Sequence, residues 1–126
     1  MTKLLLIAAG GGAGSMLRYA LAGLTQRVFG GQFPAGTLAV NVLGCFAIGF
    51  LATMFTGLGN VREEWRLILV VGLLGGFTTF SALGYETVSL FQSGRVGAAV
   101  LTVLANNVLG LGAAWLGYAL AQARLV

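Results

Sequence analysis

Four long apolar runs, joined by short polar connectors, constrain this chain more than any other feature. They fall at about Lys3–Leu24, Thr37–Phe55, Trp65–Phe91 and Val96–Ala121. Each is near the roughly 20 residues that a helix needs to cross the hydrocarbon of a bilayer. A soluble fold would need a charged exterior to cover such runs. Here only 8% of residues are charged and 58% are hydrophobic, whereas about a quarter of a soluble domain is charged. The expected solvent is therefore lipid, and the expected fold is all-α: one four-helix integral membrane domain over residues 1–126, with no soluble part.

The connectors, Gln26–Pro34, Gly57–Glu64 and Gln92–Arg95, are too short to fold alone. Pro34, the only proline, sits just before the second run, where its fixed φ helps to start a helix. The first run continues past Gly14 to Leu24, so it is expected to be a span rather than a cleaved signal. Glycines are laced through the spans, as in Gly10–Gly14, Gly44–Gly49 and Gly110–Gly117. Small residues let helix backbones approach closely in lipid, so most of them are read as packing positions.

Composition excludes several classes of function. There is no histidine, a single cysteine (Cys45), and only three acids, Glu63, Glu64 and Glu86. That set offers no intrachain disulfide or multi-cysteine zinc site, and little for acid–base or metal catalysis. An enzyme is not expected. The seven basic residues are dispersed, so no nucleic-acid partner is expected either.

The third run is long. At about 1.5 Å per residue it would reach roughly 40 Å, against a hydrocarbon core of about 30 Å. Near its centre lies Gly75-Gly76-Phe77-Thr78-Thr79-Phe80-Ser81. Paired glycines and β-branched hydroxyls are poor material for a continuous helix, so a break is expected there.

Basic residues set orientation in the membrane. The side holding both termini would carry Lys3, Arg62, Arg66 and Arg124; the other would carry Arg27 and Arg95, with Arg18 near the end of the first span. So weak a bias permits insertion either way round. Four short helices also enclose too little space for a pore, which points to an inverted pair of chains.

Polar residues inside a span are costly, and so are candidates for function. Arg18 would either snorkel to the headgroups or give a pore mouth positive potential. Asn41 shares a small, polar face with Thr37, Gly44 and Cys45, and its NH₂ group suits an anion. Thr102, Asn106 and Gly110 share a face of the fourth run, and the adjacent Asn107 points elsewhere. Glu86 follows the break and is expected to cap a helix or pair with an arginine, with proton carriage as the alternative. Phe77 and Phe80 flank the threonines; aromatic ring edges are electropositive and can face a weakly hydrated anion. Tyr19, Trp65, Trp115 and Tyr118 lie toward span ends, as interfacial aromatics do.

The stretches GGGAGSMLRY, GTLAVNVLGCFAIGF, VGLLGGFTTFSALGYE and NNVLGLGAAWLGY, in that order, resemble the Fluc/CrcB family of bacterial fluoride channels over nearly the whole chain. The resemblance implies an antiparallel, dual-topology homodimer in the bacterial inner membrane. It implies two fluoride pathways that let F⁻ leave the cytoplasm passively. It also implies a structural, non-transported Na⁺ held by the main-chain carbonyls of Gly75 and Thr78 from both subunits. Matched residue by residue, Asn41, Phe80, Thr79 and Ser81 would lie on the fluoride path, Arg18 would set vestibule electrostatics, and Glu86 matches an acid after the third-helix motif. The sequence departs from the family pattern at Ala82 and Leu83, where threonine and phenylalanine are usual, and at Gly110 and Ala114. Anion coordination is expected to differ there. Two alternatives follow. One is a small proton-coupled multidrug exporter, which would need an acid in the first helix that residues 3–24 lack. The other is a non-conducting partner subunit of a heteromeric channel, favoured by Leu83, Ala82 and Gly110.

Overall fold

A computed structural model describes residues 1–126, and it is entirely helical. Four helices are long and apolar enough to cross a membrane: α1 (Thr2–Gly30), α2 (Ala35–Leu58), α3 (Glu63–Gln92) and α4 (Val96–Leu125). Each overlies one of the four apolar runs and extends past it into polar residues. Where a span ends, the chain turns at glycine in a positive-φ conformation: Gly31 (φ 49°), Gly59 (φ 66°) and Gly94 (φ 77°). Pro34 stands immediately before the first residue of α2.

The ends of the helices define two sides. Lys3 and Glu63 form an ion pair of 2.8 Å, which puts the start of α1 beside the start of α3. At the opposite side, the Arg95 guanidinium donates to the Gln32 carbonyl at 2.9 Å, tying the α3–α4 connector to the α1–α2 connector. The helices therefore alternate in direction along the chain.

Packing is closest between α2 and α4, and between α1 and the first half of α3. The second seam is backbone against backbone. A Cβ at Gly14 would run into the Leu73 carbonyl, and a Cβ at Gly76 would run into the Gly11 carbonyl. Little else is interior. The buried hydrophobic side chains are few (Val40, Leu74, Leu83, Leu90, Ala99 and Ala121), and four polar residues, Thr37, Thr79, Thr102 and Asn106, are buried with them. The exterior carries bulky apolar groups such as Leu4, Phe29, Leu111 and Trp115. This inverts a soluble protein and fits a surface that faces lipid or another subunit.

α3 is irregular along its length. After Glu63–Arg66 it widens into π-type turns over Leu67–Leu74, then tightens again over Gly75–Phe77. Thr78 (ψ 156°) and Thr79 (φ −151°, ψ 111°) are extended, and helix resumes over Phe80–Gln92.

Candidate functional site

The extended pair Thr78–Thr79 leaves one helix end and one helix start inside the bundle. Such ends have backbone groups without helical partners, and each needs another. The start is capped locally. The Thr79 hydroxyl accepts from the Ala82 N–H at 3.1 Å and lies 3.2 Å from the Ser81 hydroxyl. On the other side of the gap, the Thr78 hydroxyl and N–H both donate to the Leu74 carbonyl, each at 3.0 Å.

The Thr79 peptide groups are gripped from α2. Asn41 Oδ1 accepts from the Thr79 N–H at 2.8 Å, and Asn41 Nδ2 donates to the Thr79 carbonyl at 3.1 Å. The same Nδ2 donates to Asn106 Oδ1 on α4 at 3.0 Å, and Asn106 Nδ2 donates to the Thr102 carbonyl at 2.9 Å. Only one orientation of the Asn41 amide satisfies all three of its contacts, because the flipped amide would set oxygen against oxygen and donor against donor. Both Asn41 N–H groups are thus engaged within the chain.

These diversions take from two carbonyls the donors that a continuous helix would give them. The Thr79 N–H would meet the Gly75 carbonyl in a continuous helix, but it is held by Asn41. The Ala82 N–H would meet the Thr78 carbonyl, but it goes to the Thr79 hydroxyl. Gly75 lies exposed on the flank of the helix bundle and Thr78 is half-buried. No cluster of His, Cys, Asp or Glu is placed to bind a metal.

Beside the gap, a cavity of about 790 Å³ opens between α1, the α1–α2 connector, α2 and the second half of α3. Arg18, Gln26, Thr37, Thr79, Tyr85 and Glu86 are among its lining residues. Thr37 donates its hydroxyl to Glu86 Oε1 at 2.6 Å, joining α2 to α3, while Glu86 Oε2 is buried with no partner. Of the roles expected for Glu86, the pairing with an arginine is not made within the chain, where its hydrogen-bond partner is Thr37. The ion pairs in the chain are Lys3–Glu63 and Arg62–Glu64, both exposed on the side that holds the termini.

The remaining sequence candidates divide. Thr102 is fully buried, with its hydroxyl turned back to the Ala98 carbonyl at 2.8 Å. Asn107 is exposed and bonds only its own helix, at the Val103 carbonyl. Phe80 is 83% exposed on the flank, whereas Leu83 is buried in the bundle at 6%. Phe77 is half-buried and Ser81 exposed. Gly44 sits against the gap, where a Cβ would strike the Thr78 methyl group.

One residue of the cavity wall was not singled out from sequence. Gln26 donates from Nε2 to the carbonyls of Phe33 (2.9 Å) and Gly31 (3.3 Å), and its Oε1 accepts from the Gly36 N–H at 3.2 Å. It folds the α1–α2 connector over the cavity mouth. From sequence it falls in the connector Gln26–Pro34, where a carboxamide gives no periodic signal, whereas it lies on the last turns of α1.

With this geometry in view, comparison with known proteins is informative. The family described as CrcB-like protein, Camphor Resistance (CrcB), matches residues 5–118. A fluoride-specific ion channel FluC of Thermus thermophilus is 50% identical over 123 residues, covering 98% of each chain. Another FluC, of Solibacter usitatus, is 48% identical over 121 residues, covering 95% of this chain and 98% of its own. A third, of Rhizobium etli, is 45% identical over 123 residues, covering 98% of each.

Proposed function

The chain belongs to the CrcB family, and from that membership we infer that it is a multi-pass membrane protein that conducts fluoride and is a channel, not an enzyme. The observation that carries this reading is the set of buried and half-buried polar groups in an otherwise apolar bundle. Arg18, Thr37 and Glu86 line or join the cavity, and Thr79, Asn41 and Asn106 continue inward from it. Buried polar groups on this scale are costly unless they do something. A small anion needs N–H and O–H donors, and a positive side chain at the mouth raises its local concentration. Conduction would be passive, with a negative-inside potential driving F⁻ outward. The bacterial origin of the relatives supports placement in a bacterial inner membrane.

We propose a finer architecture on the strength of the Gly75 and Thr78 carbonyls, which have lost their helical donors. Lipid cannot satisfy Gly75 on an exposed flank. A hard cation prefers oxygen ligands of this kind. The carbonyls of Gly75 and Thr78 therefore fit a Na⁺ site, which two chains would complete with two oxygens each. When bound, the cation would offset part of the cost of bringing an anion into low dielectric. The weak bias of basic residues between the two sides supports an antiparallel pair of identical chains. Phe80, exposed like Gly75 and Ser81, would lie at that contact.

Purified protein in liposomes loaded with fluoride provides the test. Fluoride is expected to leave rapidly in Na⁺ buffer while chloride is retained. Loss of activity when N-methyl-D-glucamine replaces Na⁺ would support the cation site. Absence of fluoride efflux in Na⁺ buffer defeats the channel reading.

A further inference from the structure

Thr79 offers its N–H and its carbonyl to one and the same side chain. That is possible only because its backbone is extended (φ −151°, ψ 111°). In a strand residue the N–H and C=O point the same way, as in a ladder pair; in a helix they point in opposite directions along the axis. The grip of Asn41 and a helical Thr79 are therefore mutually exclusive. Asn41 acts as a one-residue strand partner.

The competing arrangement is specific. If Asn41 let go, the Thr79 N–H would be free to bond the Gly75 carbonyl four residues back, and the helix would close through the gap. Closing it would consume the Gly75 oxygen. We propose that the Asn41 carboxamide, steadied by Asn106, is the latch that holds the third span open, and so a positioning residue for the cation site. The inference rests on the cation reading above but assigns Asn41 a role apart from any contact with the anion. Asn106 matters because it fixes the amide. With its Oδ1 3.0 Å from Asn41 Nδ2, it favours the orientation that presents Oδ1 to Thr79. Its own Nδ2 is anchored one turn back, at the Thr102 carbonyl, so it does not drift. Three helices thereby decide whether one carbonyl stays free.

The test reads cation binding rather than flux. Thermal unfolding of the purified protein in detergent is followed while Na⁺ replaces N-methyl-D-glucamine, because a ligand that binds only the folded state raises Tm in a saturable way. The wild type is expected to show such a rise. Asn41→Leu is expected to need about tenfold more Na⁺ for half of it, in line with the loss of a buried hydrogen bond to the backbone. Asn106→Ala should need a few-fold more, and Asn107→Ala should match the wild type. Asn41→Asp keeps the acceptor for the Thr79 N–H but sets an oxygen against the Thr79 carbonyl and Asn106 Oδ1, so it too should need more Na⁺ than the wild type. An unchanged Na⁺ response in Asn41→Leu overturns the latch. So does a response in Asn41→Asp that matches the wild type. If Asn41→Leu does not fold, Asn106→Ala and Asn41→Asp decide the matter. A wild type without any Na⁺ response refutes the cation reading itself, and the latch falls with it.

Discussion

Gly44 and Thr78 provide a sharp test of how α2 shapes the gap in α3. In Gly44→Ala the new Cβ would strike the Thr78 methyl group, with Phe77 Cδ1 3.4 Å and Thr78 Cβ 3.6 Å away. Thr78 cannot simply rotate clear, because its hydroxyl is bonded to the Leu74 carbonyl at 3.0 Å. Overpacking at a site that cannot relax costs about 1–3 kcal/mol. We place Gly44→Ala near the middle, at about 2 kcal/mol, since one methyl must be displaced and one hydrogen bond stretched. Thr78→Ser alone removes that methyl and should cost about 1 kcal/mol or less. It keeps the hydroxyl bond and the main-chain carbonyl. The double variant should therefore be more stable than Gly44→Ala alone, with a favourable coupling of about 1–2 kcal/mol. Thermal unfolding in detergent measures the stability cycle, and fluoride efflux from liposomes measures whether the gap regains its shape. Gly44→Ala with wild-type stability and efflux would refute the steric reasoning. So would a double variant no better than the single one.

Three further outcomes are expected. Thr37→Val should leave the Glu86 carboxyl without any partner and lower stability by about 1.5–3 kcal/mol in thermal unfolding, while Thr37→Ser restores it. Gln26→Glu keeps the acceptor for the Gly36 N–H but loses both donors and puts negative charge on the cavity wall; fluoride efflux should slow, and should slow less in Gln26→Ala despite faster proteolysis of the connector in both. Thr79→Ala removes the cap on the Ala82 N–H and should cost about 1 kcal/mol in unfolding experiments, with Thr79→Ser close to wild type.

The spans were legible because hydropathy is additive along the chain and needs no partner. Their ends were less so. α1 runs on to Gly30 rather than stopping near Leu24, since Gln26–Gly30 continues the helix in a wider turn, and the polar residues there hid it. Polar faces could also be read. The spacing of Thr37 and Asn41, and of Thr102 and Asn106, follows helical period, and Thr37, Thr102 and Asn106 are buried with Asn41 bonded among them. What each polar group bonds was not legible. Asn41 meets Thr79 across 38 positions and Asn106 across 65, and no local rule selects those pairs. Glu86 was expected to cap a helix or pair with an arginine, and within the chain it meets a hydroxyl on the facing helix. Exposure of Phe80 and burial of Leu83, three residues apart on one helix, likewise depend on neighbours that the sequence does not order.

The seam of Gly14 and Gly76 carries a consequence for heredity. Every missense change at a glycine codon adds at least a Cβ, and at these two positions that atom meets main chain rather than a side chain that could swing aside. The seam therefore has no conservative substitution to drift through. Elsewhere on the bundle one bulky apolar residue can stand for another against lipid, so most of the surface is free to diverge while this strip is not.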